Sequence, residues 1–143
     1  MGKRRRAREL AIQVLFHLEF NAGDPIKAFD LICASLAPPA AIRDFSRELV
    51  VGVCENRDEI DRLIIRSSIN WRLERMSLVD RNILRLASFE VLFLQDIPPK
   101  VTIDEAVELG KKFGTEDSGA FINGILDNIY SHLRLEKSNG EAD

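Results

Sequence analysis

Cysteine is nearly missing from this chain. Cys33 and Cys54 are the only two in 143 residues, too few for a disulfide framework. Both sit in apolar helical patterns and read as buried, reduced thiols of a cytoplasmic protein. Histidine is as scarce: His17 and His132 fall in different expected helices, neither with a second His or Cys at ligand spacing, so no metal site is expected. A Gly-rich phosphate loop, a nucleophile elbow and an H-E-x-x-H pair are all lacking, so no catalytic residue and no cofactor is assigned. The acidic groups Asp58, Glu59 and Asp61, and Asp104, Glu105 and Glu108, read as a solvated helix face and a dipole-matched first turn. No run approaches the ~18 apolar residues of a membrane-spanning helix. Gln13, His17 and Glu19 interrupt the apolar stretch behind the basic start, and no small-residue cleavage site follows, which argues against an export signal. Strand-like alternation is also missing.

What the chain does have is a lopsided charge distribution. Lys3, Arg4, Arg5, Arg6 and Arg8 crowd into the first eight residues, and no acid precedes Glu9. Five of the 20 basic residues are thereby used, leaving 15 against 23 acids, a balance of −8 for the remainder. Cations at a helix N-terminus oppose the macrodipole, and a helix begins here: Ala7, Leu10, Ala11, Val14, Leu15 and Leu18 form one apolar stripe. Such a cluster reads either as a binding site for a polyanion or as a solvated terminal charge run. By itself it says only "anion".

The rest is helical in period. The first helix is expected over 4–20, then a turn, an Asp24 N-cap and Pro25 at the first helical position. A second helix carries Ile26, Phe29, Ile32, Cys33 and Leu36 and stops at Pro38-Pro39. A third carries Ile42, Phe45, Leu49, Val50 and Val53, and the pattern re-phases at 56–58 into a fourth with Ile60, Leu63 and Ile64. Trp71, Leu73 and Met76 form an apolar connector. Ser77 with Asp80 reads as a capping box for a fifth helix bearing Val79, Ile83, Leu84, Leu86, Ala87 and Val91. Thr102 with Glu105 reads as a second box, opening a helix that ends at a C′ glycine, Gly114. The last helix is expected over 118–133, followed by a flexible polar tail over 134–143. The expectation is an all-α, seven-helix bundle forming one helical domain over 1–133. Single-stranded RNA is held by cations on phosphates and aromatic faces on bases. Lys111, Lys112 and Phe113 precede Gly114, and Phe121 opens the last helix; by periodicity alone both phenylalanines read as core.

The order of segments is more specific than any one of them. Ala7-Arg8-Glu9 follows the arginine run, then Glu48-Leu49-Val50-Val51-Gly52-Val53 and Asp58-Glu59-Ile60-Asp61. Val79-Asp80-Arg81-Asn82-Ile83-Leu84-Arg85-Leu86-Ala87 and Phe89-Glu90 come next. Then come Ile97-Pro98-Pro99-Lys100-Val101-Thr102-Ile103-Asp104-Glu105-Ala106-Val107-Glu108-Leu109, Lys112-Phe113-Gly114, Glu116-Asp117-Ser118 and Phe121-Ile122-Asn123-Gly124-Ile125-Leu126-Asp127. This series resembles the NusB family of bacterial transcription antitermination factors over nearly the whole chain.

The resemblance implies two small helical subdomains that bind boxA, a single-stranded element of ribosomal RNA leaders, together with the ribosomal protein NusE. That assembly joins the RNA polymerase antitermination complex on ribosomal RNA operons. By the same resemblance Lys3, Arg4, Arg5, Arg6, Arg8, Lys100, Lys112, Phe113, Asp117 and Phe121 are expected at the RNA, and Asp80, Arg81, Leu84 and Arg85 at NusE. Three positions depart from the family pattern. Ala120 stands where a basic residue is common, Gly110 replaces an alanine inside a helix, and Phe89 replaces a tyrosine. A related module at the N-terminus of RNA cytosine methyltransferases is the alternative. With ten residues beyond the last expected helix, a free-standing factor is the expectation. Apolar side chains on the first helix leave a homodimer open.

Overall fold

The computed structural model describes residues 2–68 and 72–142, with 138–142 described for their backbone alone. Trp71, expected in the connector, lies outside the described residues. Within them the chain forms seven α-helices and no strand: α1 Gly2–Phe20, α2 Pro25–Leu36, α3 Ala40–Glu55, α4 Arg57–Ser67, α5 Leu78–Phe93, α6 Pro99–Phe113 and α7 Ser118–Ala142, with a short 3-10 turn at Leu73–Arg75.

The centre is α5. Every residue from Asn82 through Glu90 is buried, so this helix is covered on all sides. It packs on α1 and α3 to one side and on α4, α6 and α7 to the other. Leu84, Ile83 and Leu86 meet Leu49, Val14, Ile60, Ile122 and Leu126 in one continuous core. The chain folds around α5 because Ile83, Leu84, Leu86, Ala87 and Phe89 are spread around the helix, at about 25 cal/mol per Å² of apolar surface buried, while Arg85 and Glu90 among them are buried in ion pairs.

Local signals set the helix ends, though not always as expected. Asp24 caps α2 by accepting from the Ile26 amide at 2.9 Å, with Pro25 in the first turn. Ser77 caps α5 by accepting from the Asp80 amide at 3.1 Å. The break between α3 and α4 falls at Asn56, inside the re-phased stretch. The proposed box at Thr102 and Glu105 does not form. Helix α6 starts earlier, at Pro99, which needs no amide donor there. Thr102 is consequently inside the helix and buried, and Glu105 turns to Arg5. Helix α7 runs on past Leu133 to Ala142.

Two glycines are explained by close packing. Gly114 ends α6 with φ −98°, which any residue can adopt, so the C′ reading in the left-handed region is wrong. A Cβ there would sit 2.7 Å from the Ser118 Cβ, so the tight turn into α7 excludes it. At Gly110 a Cβ would lie 2.7 Å from the Ile122 methyl and 3.5 Å from the α7 backbone. The loss of helix propensity, about 1 kcal/mol against alanine, is offset by the close approach of α6 and α7.

Candidate nucleic-acid interface

The basic start is helical and packed on its neighbours. Residues from Gly2 onward are helical, and the first two turns of α1 are gripped from both sides. On one flank Arg4 and Arg8, one turn apart, lie over the Phe45 ring of α3 at 5.0 and 5.8 Å. On the other flank Arg5 makes a bidentate pair with Glu105 of α6, both bonds 2.9 Å. One turn on, Glu9 accepts from Lys112 of α6 at 3.0 Å. Signs therefore alternate across a shallow cleft of about 180 Å³ lined by Arg5, Glu9, Glu105, Glu108, Leu109 and Lys112. The mutual hydrogen bond holds the Arg5 guanidinium above, and the Glu105 carboxyl below, their ordinary pKa values.

Lys3, Arg4, Arg5 and Arg6 are exposed, as are Lys100 in the first turn of α6 and Lys112 in its last. Among the described residues Lys3, Arg6 and Lys100 make no ion pair, while Arg4 lies 3.8 Å from Asp96. Lys112 also lies 5.3 Å from the centre of the Phe113 ring. The turn from α6 to α7 then presents Asp117, exposed, and Phe121 one turn into α7. Phe113 and Phe121 are both half-buried against the core. The ends of α1, α6 and α7 thus supply one cationic, aromatic surface.

Arg8 is not on that surface. Its side chain is 4% exposed and bonded to Glu90, itself 1% exposed, at 2.9 and 2.7 Å. Thr102 donates to the same carboxylate at 3.4 Å. This ion pair ties α1 to α5 and α6, and the expectation of an RNA contact at Arg8 is corrected to a bracing role. The helical period could have shown it. Arg8 precedes Ala11, Ile12 and Leu15 by three, four and seven positions, which puts it on the buried stripe. Glu90 follows Leu86 and Ile83 in the same way. Phe45, Glu9 and Glu90 were missed as site partners because such pairings cross between helices distant in sequence.

The expected partner surface also divides. Asp80 and Arg81 are half-buried at the start of α5, but Leu84 is completely buried in the core. Arg85 is inside as well, donating to Asp61 at 2.8 and 3.1 Å and to Glu19 at 3.0 Å. Leu84 and Arg85 therefore hold α1, α4 and α5 together and are unavailable at the surface, whereas Asp80 and Arg81 keep part of their surface open, Arg81 lying 3.8 Å from Glu19.

Elsewhere, Cys33 and Cys54 are free, half-buried thiols, both pushed up in pKa by burial. His132 shares a hydrogen bond with Ser67 at 3.1 Å. Among the described residues no His, Cys, Asp and Glu cluster could hold a metal ion, and no helix is long and apolar enough to cross a membrane.

The NusB family model matches residues 5–131. The chain belongs to the NusB family. It is 54% identical over 137 residues to the transcription antitermination protein NusB of Desulfatibacillum aliphaticivorans, covering 96% of each chain. It is 52% identical over 134 residues to that of Geobacter sulfurreducens, covering 93% of this chain and 97% of the other. Among solved structures, NusB of T. maritima superposes with a TM-score of 0.82 at 45% identity, over 88% of this chain and 89% of that one. A complex of the antitermination factors NusB and NusE with double-stranded RNA gives 0.84 at 28% identity, over 92% and 98%.

Proposed function

We infer that this chain is a transcription antitermination factor that binds boxA single-stranded RNA of ribosomal RNA leaders together with NusE. Its role is binding, without turnover, in the RNA polymerase antitermination complex that reads through ribosomal RNA operons in the cytoplasm. The observation that carries the reading is the joint surface of α1, α6 and α7 in a NusB-family chain. Cations stand where phosphates would lie, and two half-buried phenylalanines stand where unpaired bases would stack. Lys3, Arg4, Arg6 and Lys100 are the phosphate contacts, with Arg5 and Lys112 beside them. Phe113 and Phe121 offer the ring faces, and Asp117 lies in the turn between them.

NusE, a basic ribosomal protein, docks at the Asp80 and Arg81 end of α5. The otherwise acidic body suits such a partner by charge complementarity. Asp80→Lys places like charges together there and weakens NusE docking by a few kcal/mol. The variant keeps its affinity for RNA alone, because none of the α1, α6 and α7 cations is touched. Calorimetry with NusE and then with boxA RNA checks both halves. Undiminished NusE binding would place the partner surface elsewhere.

A further inference from the structure

The cleft between α1 and α6 holds two cations in the middle of the proposed RNA surface, and both are already occupied by carboxylates of the same chain. Arg5 gives both arms of its fork to Glu105, and Lys112 donates to Glu9 at 3.0 Å. The carboxylates sit beneath the cations: Glu9 and Glu105 are each 21% exposed, against 58% for Lys112 and 47% for Arg5. A bidentate carboxylate presents a guanidinium with the same donor geometry as a phosphate. Glu108 adds a third acid to the rim, 3.5 Å from Lys111.

We propose that Glu9 and Glu105 are built-in phosphate surrogates that limit how tightly this protein holds RNA. The inference rests on the function proposed above. In the free chain they fill the anion positions of Arg5 and Lys112, and an RNA backbone binds there only by competing with them. Phosphate contacts carry no sequence information. Suppressing two of them lowers affinity for any passing RNA and leaves recognition to the stacked bases and to the partner protein. The alternating charges give the cleft no net charge across its four paired groups, whereas Lys3, Arg6 and Lys100 make no ion pair among the described residues.

The test is a fluorescence anisotropy titration of labelled boxA RNA and of a scrambled RNA of the same composition, with and without NusE. The proteins are wild type, Glu9→Gln, Glu105→Gln, the double variant, and Glu136→Gln. Glutamine keeps the size and one acceptor oxygen of the carboxylate, so α1 stays seated on α6, which circular dichroism checks. Glu136 pairs with Arg66 at 3.0 Å outside this cleft and controls for net charge. Each cleft variant should bind both RNAs about two- to fivefold tighter, the scale of one exposed pair. Its log affinity should fall more steeply with log salt, by about 0.7 per cation released. The control should match wild type. Unchanged or weaker binding with an unchanged salt slope would overturn the proposal and leave the pairs as braces alone. An equal gain for Glu136→Gln would overturn it too. If wild type binds neither RNA even with NusE, the functional reading itself fails, and the inference with it.

Discussion

Replacing Arg8 by methionine tests the interior of the site. The substitution removes two charge-assisted hydrogen bonds, of 2.9 and 2.7 Å, and leaves the Glu90 carboxyl group at 1% exposure with only the 3.4 Å bond from Thr102. Stranding one member of a buried pair costs about 3–5 kcal/mol. For a chain of this size that corresponds to a fall in Tm of roughly 10 °C or more. Glu90→Leu, which strands the guanidinium instead, should cost a similar amount. The double change Arg8→Met with Glu90→Leu removes both charges and should recover most of the loss, ending within about 2 kcal/mol of wild type, because the attraction between buried charges only offsets their desolvation. Urea unfolding followed by circular dichroism gives all corners of the cycle. The double variant should also show the wild-type salt slope in RNA binding, since Arg8 reaches no phosphate. Two results would refute the reasoning: a loss below about 1 kcal/mol for Arg8→Met, or a double variant as unstable as the sum of the two singles.

Two further substitutions separate packing from recognition. A Cβ on Gly52 would fall between 2.1 and 2.8 Å from three atoms of the buried Phe89 ring, so Gly52→Ala should destabilise by about 1–3 kcal/mol; Phe89→Leu in the same chain should restore part of the loss, and a neutral Gly52→Ala in thermal melts would contradict this packing. Phe121→Leu keeps an apolar side chain against the core but removes the ring, so RNA binding should weaken by ~1–3 kcal/mol while stability falls by about 1 kcal/mol; melting and anisotropy on one preparation decide it, and unchanged RNA affinity would take Phe121 out of the site.

The fold was readable because its signals are local or periodic. Apolar spacing located the helices, Asp24 and Ser77 marked starts by hydrogen bonding within three residues, and Pro25 marked one by its fixed φ. Errors came where the decisive contact was distant. Thr102 and Glu105 have the spacing of a capping box, but Pro99 starts the helix first, and their partners are Glu90 and Arg5. Arg8 and Arg85 look like surface charges, yet each finds a carboxylate on another helix, and that pairing alone permits burial. The resemblance to the family placed the exposed cations and both phenylalanines on one face. It could not tell which basic residues turn inward.

Affinity for boxA RNA against its scrambled control, with and without NusE at one salt concentration, bears most directly on the central claim. BoxA should bind more tightly than the scrambled RNA, and NusE should strengthen boxA binding by about 5- to 150-fold, the usual span of coupling between two sites. Equal binding of the two RNAs with no effect of NusE would contradict that claim.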